Sequence, residues 1–176
     1  GDDTINDTNS AMGGGNVLRG GAGNDAICYY GDARNTVEGG AGNDVITTSY
    51  ATDNANSANL LTGGTGNDRF ESCFGSSETY VFNRGDGEDS IYDCGLLPAG
   101  GNGGTDTIRF GPGITRANIA AGRNGANLVI AIANPDAPDA PDRITILDWY
   151  AGGGIHRIEN FEFADGTFTA LQLNRL

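Results

Sequence analysis

Aspartate recurs in this chain just after glycine has turned the backbone. Three near-identical blocks carry the pattern: Gly20-Gly21-Ala22-Gly23-Asn24-Asp25-Ala26-Ile27-Cys28, Gly39-Gly40-Ala41-Gly42-Asn43-Asp44-Val45-Ile46-Thr47 and Gly63-Gly64-Thr65-Gly66-Asn67-Asp68-Arg69-Phe70-Glu71. Weaker copies are Gly1-Asp2-Asp3-Thr4-Ile5, Gly85-Asp86-Gly87-Glu88-Asp89-Ser90-Ile91 and Gly103-Gly104-Thr105-Asp106-Thr107-Ile108. Each aspartate is followed two residues later by a large apolar side chain. Carboxylates and turn carbonyls, with neither His nor Cys among them, make a hard oxygen donor set that favours calcium over zinc or copper. Calcium takes six to eight such oxygens at about 2.3–2.6 Å, whereas the strict octahedron of magnesium suits a carbonyl-rich cage poorly.

The elements that would position these carboxylates follow from the spacing. Asp25 to Asp44 is 19 residues, Asp44 to Asp68 is 24 and Asp68 to Asp89 is 21. Room is left in each interval for a second, degenerate unit. Asn16-Val17-Leu18, Asn35-Thr36-Val37, Asn59-Leu60-Leu61 and Glu78-Thr79-Tyr80 fill it. Two units then close one flattened coil: glycines turn, short strands follow, and alternate side chains point inward. Coils would stack at strand spacing, about 4.8 Å. Ile5, Ile27, Ile46, Phe70, Ile91 and Ile108 are expected on one inner face, with Leu18, Val37, Leu61 and Tyr80 on the other. Asp3, Asp25, Asp44, Asp68 and Asp89 would form a column on one edge, with Asp106 offered as its continuation. Carboxylates about 5 Å apart repel by roughly 1 kcal/mol in water and several-fold more at an effective dielectric near 20. Such a column asks for cations.

The block Gly-Gly-x-Gly-x-Asp-x-apolar-x resembles the repeats-in-toxin nonapeptide, a calcium-binding β-roll repeat. The resemblance implies an all-β, right-handed parallel β-roll with ions between successive turns of one edge. It places ligands at Gly20, Ala22, Gly23 and Asp25, at Gly39, Ala41, Gly42 and Asp44, and at Gly63, Thr65, Gly66 and Asp68. Asp3, Asp89 and Asp106 match less completely. Asn16, Asn35 and Asn59 stand where that family has aspartates; a neutral row can hydrogen-bond along the stack, so about three to five calcium ions are expected, mainly on the aspartate edge. Thr79 to Asp93, Asp106 to Phe110 and Arg157 to Thr167 look like the haemolysin-type calcium-binding-related domain that often follows such repeats. By the same resemblance the chain is expected to be a secreted bacterial module, exported by type I secretion, folding on calcium outside the cell and supporting an attached effector. Two other readings stay open: a subunit of a surface layer, fibre or adhesin that self-associates, and a C-terminal region of a secreted hydrolase or epimerase that aids substrate binding.

Composition agrees. Glycine accounts for 30 of 176 residues, and the formal net charge is −13. That charge repels nucleic acid and anionic membranes, and no apolar run is long enough to span a bilayer. The opening Gly1-Asp2-Asp3 suggests a fragment or processed product. Residues 1–110 are expected to form the roll and 111–176 a β-rich cap that covers its open end. Within the cap, a helical turn is expected at Ile114–Ile119, strands at Asn127–Ile132 and Arg143–Leu147, and a hairpin from Ile158 to Leu173. The proline-stiffened segment Asn134–Asp142 reads as a solvated loop. Cys73 with Cys94 would suit a disulfide, leaving Cys28 free; the plainer expectation is three unpaired thiols. No nucleophile elbow or phosphate loop is present, and the single histidine, His156, reads as a surface or cap residue. No enzyme is expected. Arg84-Gly85-Asp86 has the form of a cell-attachment tripeptide but falls inside a repeat.

Overall fold

A computed structural model describes residues 1–7, 15–31, 34–50, 57–73, 75–93, 104–136, 138, 141–151 and 156–173. Strands dominate: β1 (Thr4–Asn6), β2 (Val17–Ala22), β3 (Ala26–Tyr30), β4 (Thr36–Ala41), β5 (Val45–Tyr50), β6 (Ala58–Thr65), β7 (Arg69–Ser72), β8 (Ser77–Phe82), β9 (Glu88–Asp93) and β10 (Thr107–Phe110). They are followed by β11 (Ile119–Asn124), β12 (Asn127–Ile132), β13 (Asp142–Ile146), β14 (Asn160–Phe163), β15 (Gly166–Thr169) and a short helix α1 (Ala170–Leu173). Odd strands β1 to β9 pair in parallel in one sheet, and even strands β2 to β10 pair in parallel in a second. The chain crosses from one sheet to the other at every turn. This is the stacked-coil roll that the doubled repeat implies.

Inward side chains stack one above another, because parallel pairing in register places the same repeat position on the same face. Ile5, Ile27, Ile46, Phe70 and Ile91 are consecutive register partners. On the other sheet the series runs Leu18, Val37, Leu61, Tyr80, Ile108 and Phe161. Ile108 therefore belongs to the second face, not the first; Ile146 takes its place beside Ile91. Phe70 packs edge-on against Tyr80 at 5.4 Å and against Phe82 at 5.9 Å, joining the two sheets. Each fully buried Ile, Leu or Phe contributes roughly 1.5–3 kcal/mol relative to exposure. The strands of the second sheet are longer than expected, since β4 and β6 absorb the Gly-Gly-x of each block and leave the turn to Gly-Asn-Asp.

The C-terminal part extends both sheets. β13 adds in parallel to β9 and β14 in parallel to β10, while β11–β12–β13 and β14–β15 pair antiparallel. Trp149, Ile158 and Phe161 are fully buried in one core cluster with the roll. The expected helical turn is a 3₁₀ turn at Arg116–Asn118, held by the Thr115 N–H and hydroxyl donating to Asn118 Oδ1. The expected final strand ends early: Thr169 N–H donates to Gln172 Oε1, and Ala170–Leu173 turns into α1. Cys73 is disulfide-bonded, which overturns the reading of three unpaired thiols; Cys28 is free. Cys94, Gly103 and residues 137, 139 and 140 of the proline loop lie outside the described residues. Among the described residues no helix is long and apolar enough to cross a membrane.

Candidate metal centre

The turns that lead from even to odd strands build the first edge. Asp25 Oδ1 accepts from Asp3 N–H at 2.7 Å, Asp44 Oδ1 from Asp25 N–H at 2.8 Å, Asp68 Oδ1 from Asp44 N–H at 2.8 Å and Asp89 Oδ1 from Asp68 N–H at 2.8 Å. One oxygen of each carboxylate is thus committed to the coil before it. The other is not: Oδ2 of Asp25, Asp44 and Asp68 is buried and has no hydrogen-bond partner. Leaving a buried acceptor unsatisfied costs about 1–3 kcal/mol, and more when it is charged.

Glycine makes the space that these oxygens face. A Cβ on Gly20 would collide with Asp25 Oδ2 and stand 2.6 Å from the carbonyl oxygen of Gly39 in the next coil. The same holds at Gly39, where a Cβ would meet Asp44 Oδ2 and, at 2.6 Å, the carbonyl of Gly63. At Gly63 it would meet Asp68 Oδ2. A buried carboxylate oxygen and a peptide oxygen therefore converge where only a missing side chain leaves room. Among the described residues no imidazole or thiol lies against these oxygens. This donor set fits a hard divalent cation.

Electrostatics point the same way. Burial pushes the Asp68 carboxyl up to about 6, with the charges of Asp44 and Asp86 adding and the Asp44 N–H opposing. Burial also raises Asp44 above the usual carboxylate range. Asp89 is pushed up to about 8, by burial first and then by Asp68, Asp86 and Asp142. An outer ladder runs the opposite way: Asn24 N–H donates to Asp2 Oδ1, Asn43 N–H to Asn24 Oδ1, and Asn67 N–H to Asn43 Oδ1. Beyond Asp2 its rungs are neutral amides that hold the turns in step.

The remaining sequence candidates fall into place around this column. Gly23, Gly42 and Gly66 have φ of 128°, 131° and 139°, a region closed to most side chains. The carbonyls of Ala41 and Thr65 each accept an N–H of the preceding coil, from Gly23 and Gly42, at 2.8 Å. Ala22 accepts from the Gly1 ammonium group. Asp3 is exposed. Asp106 is the correction: it does not continue this column. β10 lies beside β8, and Glu78 N–H donates to Asp106 Oδ1 at 2.8 Å, so Asp106 stands on the opposite edge. After the odd strand β9 the next half-coil is an even one, whatever residue type it carries. The Arg84-Gly85-Asp86 tripeptide is not presented to a receptor, since Asp86 is buried and its Oδ2 accepts from Asn83 N–H at 2.7 Å.

The second edge carries amides at Asn16, Asn35 and Asn59, with the Asn16 amide donating to Asp7 Oδ2 at 2.7 Å. Asn16 N–H donates to Asn35 Oδ1 and Asn35 N–H to Asn59 Oδ1, both at 3.0 Å, while the Asn35 and Asn59 amides donate to the carbonyls of Tyr30 and Gly31. Farther along it becomes acidic. Carboxylate oxygens of Glu78, Asp93 and Asp106 lie within 4.8 Å of one another, all three residues buried. Glu78 is raised chiefly by burial, despite hydrogen bonds from Ser76 and Asn59; Asp106 is raised by burial and by Asp93 and Glu78. Asp106 N–H in turn donates to Glu159 Oε2 at 2.8 Å. His156 is buried rather than on the surface, with Nδ1 2.7 Å from the Asp93 carbonyl and its ring stacked on Tyr92.

Sequence reasoning missed Asp93, Asp142 and Glu159. Asp142, at the end of the segment expected as a solvated loop, is buried and accepts from the N–H groups of Gly85 and Gly87. The available signal was the position of Asp142 directly before the alternating run Arg143-Ile144-Thr145-Ile146, the place in a half-coil that a turn carboxylate holds.

Comparison with known proteins agrees with the calcium-binding reading. Residues 127–168 match the family described as the haemolysin-type calcium binding protein related domain. That range takes in Arg157–Thr167 but begins after the two earlier segments, Thr79–Asp93 and Asp106–Phe110, assigned to the same domain. Over 90 residues the chain is 32% identical to the iron-regulated protein FrpA of Neisseria meningitidis serogroup C, a match that spans half of this chain and 7% of that protein. The chain is thus a stacked-coil β protein that resembles the haemolysin-type calcium-binding repeat proteins and carries, at residues 127–168, the domain related to them.

Proposed function

We propose that the chain is a calcium-binding β-roll module of a secreted protein, in which ions between successive coils hold the aspartate edge together. The observation that carries this is the set of three buried, unpartnered Oδ2 atoms of Asp25, Asp44 and Asp68, two of which face a glycine carbonyl of the next coil. Ligands are assigned to these aspartates and to the carbonyls of the turns beginning at Gly20, Gly39 and Gly63, one ion per gap between coils. Residues 1–110 act as the roll and 111–176 as its cap.

Extracellular calcium modules have dissociation constants of order 10⁻⁴–10⁻³ M. At about 1 mM calcium and a constant of about 10⁻⁴ M, each site contributes roughly 1.4 kcal/mol. Three or four such sites contribute a large part of the stability of an ordinary domain, about 5–15 kcal/mol. In micromolar calcium that contribution vanishes, so the chain stays unfolded in the cell, passes a narrow export channel and folds outside. An effector joined to it would be exported with it. Circular dichroism in excess chelator and in millimolar calcium tests the reading. The expected result is β signal only with calcium; full β signal in chelator sinks it.

A further inference from the structure

Where its asparagine row ends, the second edge gathers three carboxyl groups in the core. Glu78 and Asp106 hold the ladder position of Asn35 and Asn59, since Glu78 N–H donates to Asp106 Oδ1 as Asn35 N–H does to Asn59 Oδ1. Asp93 enters from the last inward position of β9, beside Ser72 of β7. Carboxylate oxygens of Glu78, Asp93 and Asp106 lie within 4.8 Å of one another, and the residues are only 1%, 6% and 7% exposed. Among the described residues no salt bridge reaches Glu78 or Asp106. Close, desolvated carboxyl groups cannot all stay ionised; each disfavours the charge of the next.

The lining of this chamber decides how charge is removed. On the aspartate edge a bare carboxylate oxygen meets a carbonyl, acceptor against acceptor. Here Glu78 Oε1 is met by donors: the Ser76 hydroxyl, the Asn59 amide at 3.2 Å and the Tyr29 hydroxyl at 3.4 Å. Thr48 donates to the Tyr29 oxygen at 2.7 Å, which leaves the tyrosine hydrogen for Glu78. The Tyr80 hydroxyl donates to Asp93 Oδ2 at 3.3 Å. These hydrogens stand where a cation would have to approach. The Asp106 side chain also hydrogen-bonds that of Glu78. Two carboxyl groups join in that way only when one carries a proton. Burial raises both above the usual carboxylate range, and Asp93 and Glu78 raise Asp106 further. Glu159 adds a carboxylate beside them, its Oε2 accepting from Asp106 N–H at 2.8 Å, while His156 Nδ1 faces the Asp93 carbonyl and not a carboxyl group.

We propose that Glu78 and Asp106 share one proton at neutral pH, and that this proton, not a divalent ion, closes the second edge where its asparagines end. The roll then has two seals of different chemistry, a cation on one edge and a proton on the other. A proton held by the folded chain and released by the unfolded one makes stability depend on pH. Because the folded pair binds it more tightly, its contribution is complete below the ordinary carboxylate range of about 4. It is lost as pH rises through the higher range of the pair itself.

Urea unfolding of the full chain in millimolar calcium, from about pH 5 to about pH 9, tests this with wild type, Glu78→Gln and Asp106→Asn. Each amide keeps the acceptor oxygen of its acid and imitates the protonated form. Relative to either variant, the wild-type folding constant is expected to fall by about tenfold per pH unit once the pair ionises, the mark of one proton. Parallel pH profiles in wild type and both variants overturn the shared proton. The comparison between variants holds whether or not calcium binds the other edge, so its failure and that of the calcium reading are separate results. Should the variants fail to fold, carboxyl-carbon NMR of the wild type decides. One of the two groups still protonated at neutral pH supports the pair; both ionised by about pH 5 overturns it. A terbium ion between Glu78 and Asp106 in a soaked crystal also overturns it, since a metal would then hold the place of the proton.

Discussion

The two edges of the roll are made by the same backbone and solve the same problem differently. Each turn must satisfy an N–H that points along the stack, and on both edges a side-chain oxygen of the next coil does so: Asp44 for Asp25 on one edge, Asn59 for Asn35 on the other. The difference lies in the atom left over. Asparagine leaves an amide that donates to a nearby carbonyl, as Asn35 does to Tyr30. Aspartate leaves an acceptor beside another acceptor, the Gly63 carbonyl in the case of Asp44. Over Asn35 and Asn59 the second edge is complete in itself. The charged edge is complete only with a cation, which makes its order conditional on the medium.

Removing calcium is the largest way to break that contrast. Three or four sites at about 1.4 kcal/mol each amount to roughly 4–6 kcal/mol, enough to unfold a domain at the lower end of ordinary stability, about 5 kcal/mol. Chelation should abolish β structure, and refolding should follow a calcium titration. Retention of the Asp25 and Asp44 amides in slow hydrogen exchange under chelation would show that the edge stands without ions.

Converting the neutral edge is expected to come next. Asn59 donates to the Gly31 carbonyl and to Glu78 Oε1, both at 3.2 Å. Asn59→Asp would set a buried carboxylate against two acceptors, one of them the Glu78 carboxylate. Uncompensated buried charges cost about 3–5 kcal/mol, so urea unfolding in saturating calcium should show a loss of that order. A loss under 1 kcal/mol would mean that the second edge tolerates charge and that the two edges are not chemically distinct.

These contrasts were largely legible in the sequence, and the places where they were not have a physical cause. Asp25, Asp44, Asp68 and Asp89 can be placed because two half-units alternate along the chain, so every second one lies on the same edge although the intervals are 19, 24 and 21 residues. Asp106 departs from the expected column because the alternation of half-coils, not its type as an aspartate after glycines, fixes its edge. Asp142 is 53 residues beyond Asp89 in a proline-containing stretch, so no local period connects them. β11 was missed because Ile119-Ala120-Ala121-Gly122-Arg123-Asn124 has few β-branched residues; it is a strand through antiparallel pairing with β12, not through propensity.

The converse substitution sharpens the comparison at smaller scale. Asp44→Asn keeps the Oδ1 acceptor for the Asp25 N–H and removes one charge from the column. Calcium binding at the adjoining gaps should weaken by about 10–100-fold, or about 1.4–2.8 kcal/mol. In chelator the sign reverses: the variant should retain more β signal than the wild type, because less charge is confined. Equal signals in chelator would show that repulsion along the column is not what calcium relieves.

Protons should be able to do part of what calcium does, and this is the mildest test. Asp68 and Asp86 are raised to about 6 and Asp89 to about 8, with burial the leading cause in each, against about 3.9 for an aspartate in an unfolded chain. Between these limits the metal-free folded state binds more protons than the unfolded state. Its stability is therefore greatest in acid and declines as pH rises through about 6 to 8. The carboxylates titrate as a coupled set, so the shifts do not add residue by residue. In chelator, lowering the pH from 8 to 5 should restore part of the β signal. In millimolar calcium the same acidification should weaken binding, since protons and ions compete for the same oxygens. The neutral edge has no such lever over Asn16, Asn35 and Asn59. Should acid instead deepen the loss of structure in chelator, the aspartate column would not be the element that withholds folding from the metal-free chain.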